Sequence, residues 1–244
     1  MWSFFNINVL TIDRKIFPPV IFSIIFLFLI SALIWLFIAF EDSNLFPIKE
    51  VYIEGDLNYL DQKKLKKDIA RFTNKGFFQT EILKISKNLQ EDHWVSEVSV
   101  KKIWPSSVLV KIKERVPKAK LNGNFFFDEQ GVIFEPKFVP NIDILKIQDF
   151  SGNPQNTFNI SQKLNSDLQR KGLILDNIEK SKLGIIRFKL SDAKEVVLGN
   201  ENDFERNVRR FLKCYEIFLN TSWHEIEKID LRYSDGFAVR FNEN

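Results

Sequence analysis

The 244-residue sequence predicts an α+β protein carried on a single transmembrane helix, and three observations predict it. One uninterrupted apolar run spans Val20 to Phe40. Residues 46–114 then switch between strand and helix periodicity in the order strand, helix, helix, strand, strand. From there to Phe241 the pattern is β-rich, with two amphipathic helices set among short alternating segments. The expected organisation is a cytoplasmic tail over 1–19, a transmembrane helix over 20–40, a first extracytoplasmic module over 46–115 and a second over 116–241.

The apolar run sets the location. Sixteen of its 21 residues are Ile, Leu, Phe or Val, and its only hydroxyls are Ser23 and Ser31. At about 1.5 Å per residue it matches the ~30 Å hydrocarbon core of a bilayer. A core helix of a soluble domain would carry a polar stripe, and this run has none. Arg14 and Lys15 precede it, while Glu41 and Asp42 follow it. Basic residues stay on the cytoplasmic side, so the amino terminus is expected inside and the large remainder outside. A cleaved leader would have a shorter apolar region and a small-x-small site, and Ile38-Ala39-Phe40-Glu41 offers none.

Setting Asp13, Arg14 and Lys15 aside, the 35 basic and 32 acidic residues leave a nearly neutral outer part. Nucleic acid demands a clustered basic surface, so it is not an expected partner. Cys214 is the single cysteine, which excludes an internal disulfide and leaves stability to packing.

In the first module, Val51 and Ile53 alternate as a strand that Gly55 ends. Asp61 stands where a helix cap belongs, ahead of Leu65, Ile69 and Phe72 at helical spacing, and Asn74-Lys75-Gly76 stops that helix. Thr80 is the expected cap of a second helix with Ile82, Ile85 and Leu89 inward. Val98 and Val100 alternate, Trp104-Pro105-Ser106 turns the chain, and Val108, Val110 and Ile112 alternate again. Trp94 and Phe78 are expected to pack helices onto the sheet. Lys63, Lys64, Lys66 and Lys67 form a solvated face, and His93, with no second histidine near it, is not a metal site.

In the second module, residues 125–134 read as two strands around Gly131. A helix is expected over Asn159 to Lys171, with Ile160, Leu164 and Leu168 inward and Gly172 as its stop. Strands follow over Gly184 to Leu190 and Lys194 to Leu198. Asp203 to Leu219 is the best-patterned helix, with Phe204, Val208, Phe211, Tyr215 and Phe218 on one face. Ile229, Leu231 and Tyr233 then alternate, Ser234-Asp235-Gly236 turns, and Phe237, Val239 and Phe241 alternate to the end.

The strand–helix–helix–strand–strand order resembles a POTRA domain. Val51-x-Ile53-x-Gly55, Gly76-Phe77-Phe78, His93-Trp94-Val95, Val98-x-Val100-x-Lys102-x-Trp104-Pro105 and Lys113-Glu114-Arg115-x-Pro117-x-Ala119 resemble the pattern of the bacterial FtsQ/DivIB family of cell-division proteins. Leu198-Gly199 and the run from Ile229 to Phe241 resemble that family's carboxy-terminal signature. The resemblance covers the whole chain and implies a POTRA domain over 46–115 and an FtsQ-type β domain over 116–241.

No catalytic signature accompanies it. The sequence has no Gly-x-Ser-x-Gly, no phosphate-binding glycine loop, no His-Glu-x-x-His and no paired-cysteine spacing. Cys214 on the face of Phe211 and Phe218 reads as a packed thiol. The chain is therefore expected not to be an enzyme and to need no cofactor, metal or small-molecule substrate. The leading expectation is a divisome scaffold that links early and late division proteins and helps control septal cell-wall synthesis. The alternatives are a POTRA-bearing envelope-assembly chaperone and an anchored cell-wall enzyme. The resemblance further implies an inner-membrane, single-pass protein with a periplasmic domain, concentrated at the septum. FtsB and FtsL are its implied principal partners, with other division proteins on the POTRA side. Tyr233, Ser234, Gly236, Arg240 and Phe241 are the implied FtsB-binding region. A chain-terminal strand tends to lie at a sheet edge, where a partner strand can pair with it.

Overall fold

The computed structural model describes residues 17–41, 45–219 and 221–242. Helix α1 covers Phe17–Glu41 and contains the stretch Ile21–Ala39, which is long and apolar enough to cross a membrane. Its large side chains from Ile21 to Ile38 are exposed within the chain itself. A continuous sleeve of exposed Ile, Leu and Phe is costly in water and suited to lipid.

Beyond it the order is β1 (Glu50–Glu54), α2 (Gln62–Thr73), α3 (Ile82–Gln90), β2 (Val95–Ile103) and β3 (Ser107–Glu114). The strands form a sheet of order β1-β3-β2, in which β1 runs parallel to β3 with Val51 opposite Val108 and Ile53 opposite Val110. This is the expected β-α-α-β-β arrangement. Helix α2 begins directly after Asp61 and buries Leu65 and Ile69, one turn apart. At α3 the expectation shifts by a residue. The Thr80 hydroxyl donates back to the Gly76 carbonyl at 2.6 Å, and the first carbonyl of the helix to be used is that of Glu81.

The remaining strands are β4 (Pro117–Leu121), β5 (Phe125–Asp128), β6 (Ile133–Phe134), β7 (Leu145–Asp149), β8 (Leu175–Lys180), β9 (Ile185–Leu190), β10 (Glu195–Asn200), β11 (Ile226–Asp230) and β12 (Ala238–Phe241), with α4 (Pro154–Gln169) and α5 (Phe204–Cys214) between them. They build one mixed nine-stranded sheet of order β12-β11-β10-β9-β8-β7-β4-β5-β6. Helix α4 packs on β7 and β8, and α5 packs on β10. The core between sheet and helices includes Phe127, Ile147, Leu164, Leu168, Ile178, Phe188, Leu198, Phe211 and Ile229.

Two helices depart from expectation. Helix α4 starts at Pro154, because the Asn153 side chain accepts the Asn156 amide and proline suits the first helical position. In the second, α5 stops at Cys214 and a π-turn covers Tyr215–Leu219. The wider turn slips the 3.6-residue phase. Phe218, expected inward, is therefore two-thirds exposed, and Leu219 is buried in its place. Cys214 keeps its packed position beside the core.

By packing, the chain divides into two compact units. One contains α1 and β1 and takes in Lys63–Lys87 and Ser99–Lys111. The other holds Gly55–Gln62, Asn88–Val98 and everything from Ile112 onward. Trp94 belongs to the second. It is buried, yet instead of only fastening helices to the small sheet it stacks on Tyr59 at 4.2 Å and meets Phe134 edge-on at 5.3 Å. Phe78, in the first unit, stays partly exposed against Phe46 and Phe77.

The Lys113–Ala119 motif has a structural explanation within this second unit. The buried Glu114 carboxylate accepts the backbone amides of Asn58, Tyr59 and Leu60 at 2.7–3.2 Å. Arg115 pairs with the buried Asp128 at 2.5 Å, and Ala119 is fully buried in β4. Gly55 is required by close approach: at φ +147° an added Cβ would lie 2.1 Å from the Ile112 carbonyl oxygen.

Candidate functional site: the last strand and the turn before it

β12 is the final strand of the nine-stranded sheet. It pairs antiparallel with β11, with Ala238 opposite Asp230, Val239 opposite Ile229, Arg240 opposite Lys228 and Phe241 opposite Ile226. Val239 and Phe237 pack against the core, as the alternation predicts. Phe241 does not join them. A register shift between Ile226 and Lys228 interrupts the ladder there, and Phe241 is 54% exposed at the strand's end. Arg240 is exposed and pairs with Glu227 at 3.7 Å. Among the described residues β12 has one strand neighbour, so alternate backbone groups of its outer edge are unpaired by any strand.

β11 ends at Asp230, earlier than expected, and Tyr233 lies in the bend after it instead of on the strand. Before the turn, the Leu231 amide still bonds to the Val197 carbonyl of β10 at 2.9 Å. Tyr233 is 58% exposed, Ser234 and Asp235 are exposed, and Gly236 is half-buried. The fold thus brings Tyr233, Ser234 and Gly236 into one turn at one end of β12. It leaves Arg240 and Phe241 at the opposite end, next to the 224–226 segment, where Asn242 bonds to the carbonyls of Glu225 and His224.

What holds that turn is a clamp from α5. Arg210 donates through Nη1 to the Tyr233 carbonyl at 3.0 Å and through Nη2 to the Gly236 carbonyl at 2.6 Å. Its guanidinium also reaches the Asn207 side-chain oxygen at 3.2 Å, and Asn207 donates to the Leu198 carbonyl of β10 at 2.6 Å. A single chain of hydrogen bonds therefore runs from β10 through α5 to the exposed turn. Gly199 makes room for it: a Cβ there would sit 3.3 Å from the Arg232 side chain and 3.8 Å from the Asn207 amide nitrogen. Arg232 folds back on Asp230, its Nε and Nη2 donating to the carboxylate at 3.0 and 2.6 Å. That pairing holds the Asp230 carboxyl below the usual carboxylate range.

Sequence patterning assigns Arg210 to a polar face and does not single out Asn207. The available signal is an amide set inside the Phe204–Val208–Phe211 stripe: Asn207 is 2% exposed, and a buried amide requires partners. The arrangement offers backbone edge, an exposed aromatic and a held turn, which is equipment for binding a peptide chain. Among the described residues no cluster of three or more His, Cys, Asp or Glu could hold a metal ion. His93 engages the Glu135 carbonyl through Nδ1.

Comparison with known proteins agrees with the architecture. The model of the FtsQ-type POTRA domain matches residues 46–115, and that of the cell division protein FtsQ/DivIB carboxy-terminal domain matches 117–232. The cell division protein FtsQ of Cellvibrio japonicus is 30% identical over 81% of this chain, which spans 61% of that protein. The FtsQ of Coxiella burnetii is 24% identical over 93% of the chain and 92% of its own length. That of Vibrio cholerae is 25% identical over 89% and 84%. With both family models matching in tandem behind a membrane-compatible helix, the chain belongs to the FtsQ/DivIB family of cell-division proteins.

Proposed function

We propose that this protein is a divisome scaffold, anchored once in the inner membrane with its amino terminus cytoplasmic and its large part periplasmic, and concentrated at the septum. In this reading it links early and late division proteins and helps control septal cell-wall synthesis through protein contacts, without catalysis of its own. Its principal partners are FtsB and FtsL, and the partner supplies a strand that pairs with the outer edge of β12. The observation that carries the reading is the open backbone edge of β12 beside a turn that Arg210 holds in place. Backbone pairing contributes affinity, while Tyr233 and Phe241, both more than half exposed, provide side-chain selection at the two ends.

Binding of the purified full chain to the FtsB–FtsL pair tests this. Removal of residues after Asp235 deletes β12 and is expected to abolish binding. Because Phe237 and Val239 also pack the core, Tyr233→Ala is the cleaner variant. Its side chain is exposed, so folding is retained while affinity falls by about 2 kcal/mol if the ring anchors the partner. Folded variants that bind the pair with unchanged affinity defeat the proposal.

A further inference from the structure

The end of the first unit nearest α1 carries an apolar surface linked stepwise to the membrane helix. Trp35, Leu36 and Ala39 lie in the last two turns of α1, and with Leu45 and Phe46 they border an all-apolar hollow of about 240 Å³. Phe46 meets Phe78 edge-on at 5.1 Å, and its carbonyl accepts the Phe77 amide at 2.7 Å. The Phe78 carbonyl in turn accepts Lys102 Nζ at 3.0 Å, and that ammonium lies 5.5 Å from the Phe77 ring centre. The next two residues, at the β2–β3 hairpin tip, are Ile103 at 42% exposure and Trp104 at 73%. The tip is tied down as well: the Ser106 carbonyl accepts the Lys49 amide at 2.8 Å, only eight residues past the end of α1. Phe46 therefore lies at the depth of the last turns of the span, and Phe78 and the hairpin tip follow from it by direct contacts.

We propose that this face, formed by Leu45, Phe46, Phe78, Ile103 and Trp104, rests on the lipid surface of the membrane that α1 crosses, with Trp104 seated among the headgroups. Tryptophan favours that layer because its ring is apolar and its N–H is polar. Lys102 suits the same boundary, with its ammonium over the Phe77 ring and bonded to a carbonyl. The occupant is lipid because the surface continues from the exposed sleeve of α1, where Ile34, Trp35 and Phe37 are exposed.

The inference rests on α1 being a membrane span, and one experiment separates the two. The full chain is reconstituted into phosphatidylcholine vesicles whose acyl chains carry bromine near the carbonyl end, and tryptophan emission is compared for wild type, Trp35→Phe and Trp104→Phe. Iodide, present on both sides, serves as the aqueous quencher. The Trp35 component, taken by difference, is expected to be quenched by brominated lipid, as for any residue within the span. The Trp104 component is expected to fall about two-fold with brominated lipid and to resist iodide. A Trp104 component open to iodide and untouched by bromine, beside a quenched Trp35, overturns the inference and leaves the span intact; a protein occupant of this face would give the bromine-insensitive result too. An unquenched Trp35 removes the span and this inference together.

Discussion

Arg210 is the most informative residue to change, because it holds the candidate binding turn without facing outward as a contact. Arg210→Ala deletes three charged hydrogen bonds, to the carbonyls of Tyr233 and Gly236 and to the side-chain oxygen of Asn207. A hydrogen bond to a charged group contributes about 1.5–3 kcal/mol when both partners are withdrawn from water. Here Tyr233 is exposed and Gly236 only half-buried, so their freed carbonyls regain water, whereas the oxygen of the buried Asn207 loses a partner, and the loss of global stability is about 2 kcal/mol. The binding term is separate. Ordering backbone costs about 1–2 kcal/mol per residue, and the turn comprises Tyr233 to Gly236. Leu231 on one side and Phe237 on the other remain anchored, so only part of that freedom is released. A partner would then have to re-order about one to two residues' worth, or about 2 kcal/mol, a roughly thirty-fold loss of affinity. Arg210→Lys keeps the charge but presents a single point donor in place of a fork, and should recover no more than half of the effect. The assay is equilibrium binding of the FtsB–FtsL pair to the full chain in detergent, with amide hydrogen exchange at 233–236 as a readout independent of the partner. Unchanged exchange in that turn, or unchanged affinity despite faster exchange, would refute the clamp argument.

Other outcomes follow from the same geometry. Glu114→Ala leaves the amides of Asn58, Tyr59 and Leu60 without their shared acceptor, so it should cost about 3 kcal/mol, read as a lowered midpoint in chemical denaturation. Cys214→Ala removes a half-buried thiol packed beside Phe211, so it should cost about 1 kcal/mol, and cells depending on it should divide normally. Protease added outside spheroplasts should digest the large domain and leave a small protected fragment containing α1; protection of the large domain would reverse the proposed orientation.

The membrane helix, the β-α-α-β-β order and most strands of the second module follow from local pattern, because each rests on interactions within a few residues of chain. An apolar run needs only its length to match a bilayer, and the half-buried Val51 and Ile53 and the buried Val108 and Val110 announce inward strand faces by alternation alone. Helix boundaries were less legible. The start of α4 was written in Asn153-Pro154, whereas the π-turn after Cys214 has no sequence mark and displaced Phe218 from its expected face. Strands β4, β7 and β8 are not legible in the pattern, since they are short and carry lysine, asparagine or aspartate among few apolar residues. The site divides the same way. The family resemblance points to Tyr233, Ser234, Gly236, Arg240 and Phe241, but motif and periodicity are blind to what lies across the sheet. Only the tertiary structure puts Tyr233 and Phe241 at opposite ends of β12 and brings Arg210 from 23 residues away onto the Tyr233 carbonyl. Contacts between segments distant in sequence depend on strand order and helix packing, which the sum of many weak long-range interactions decides and no local window contains.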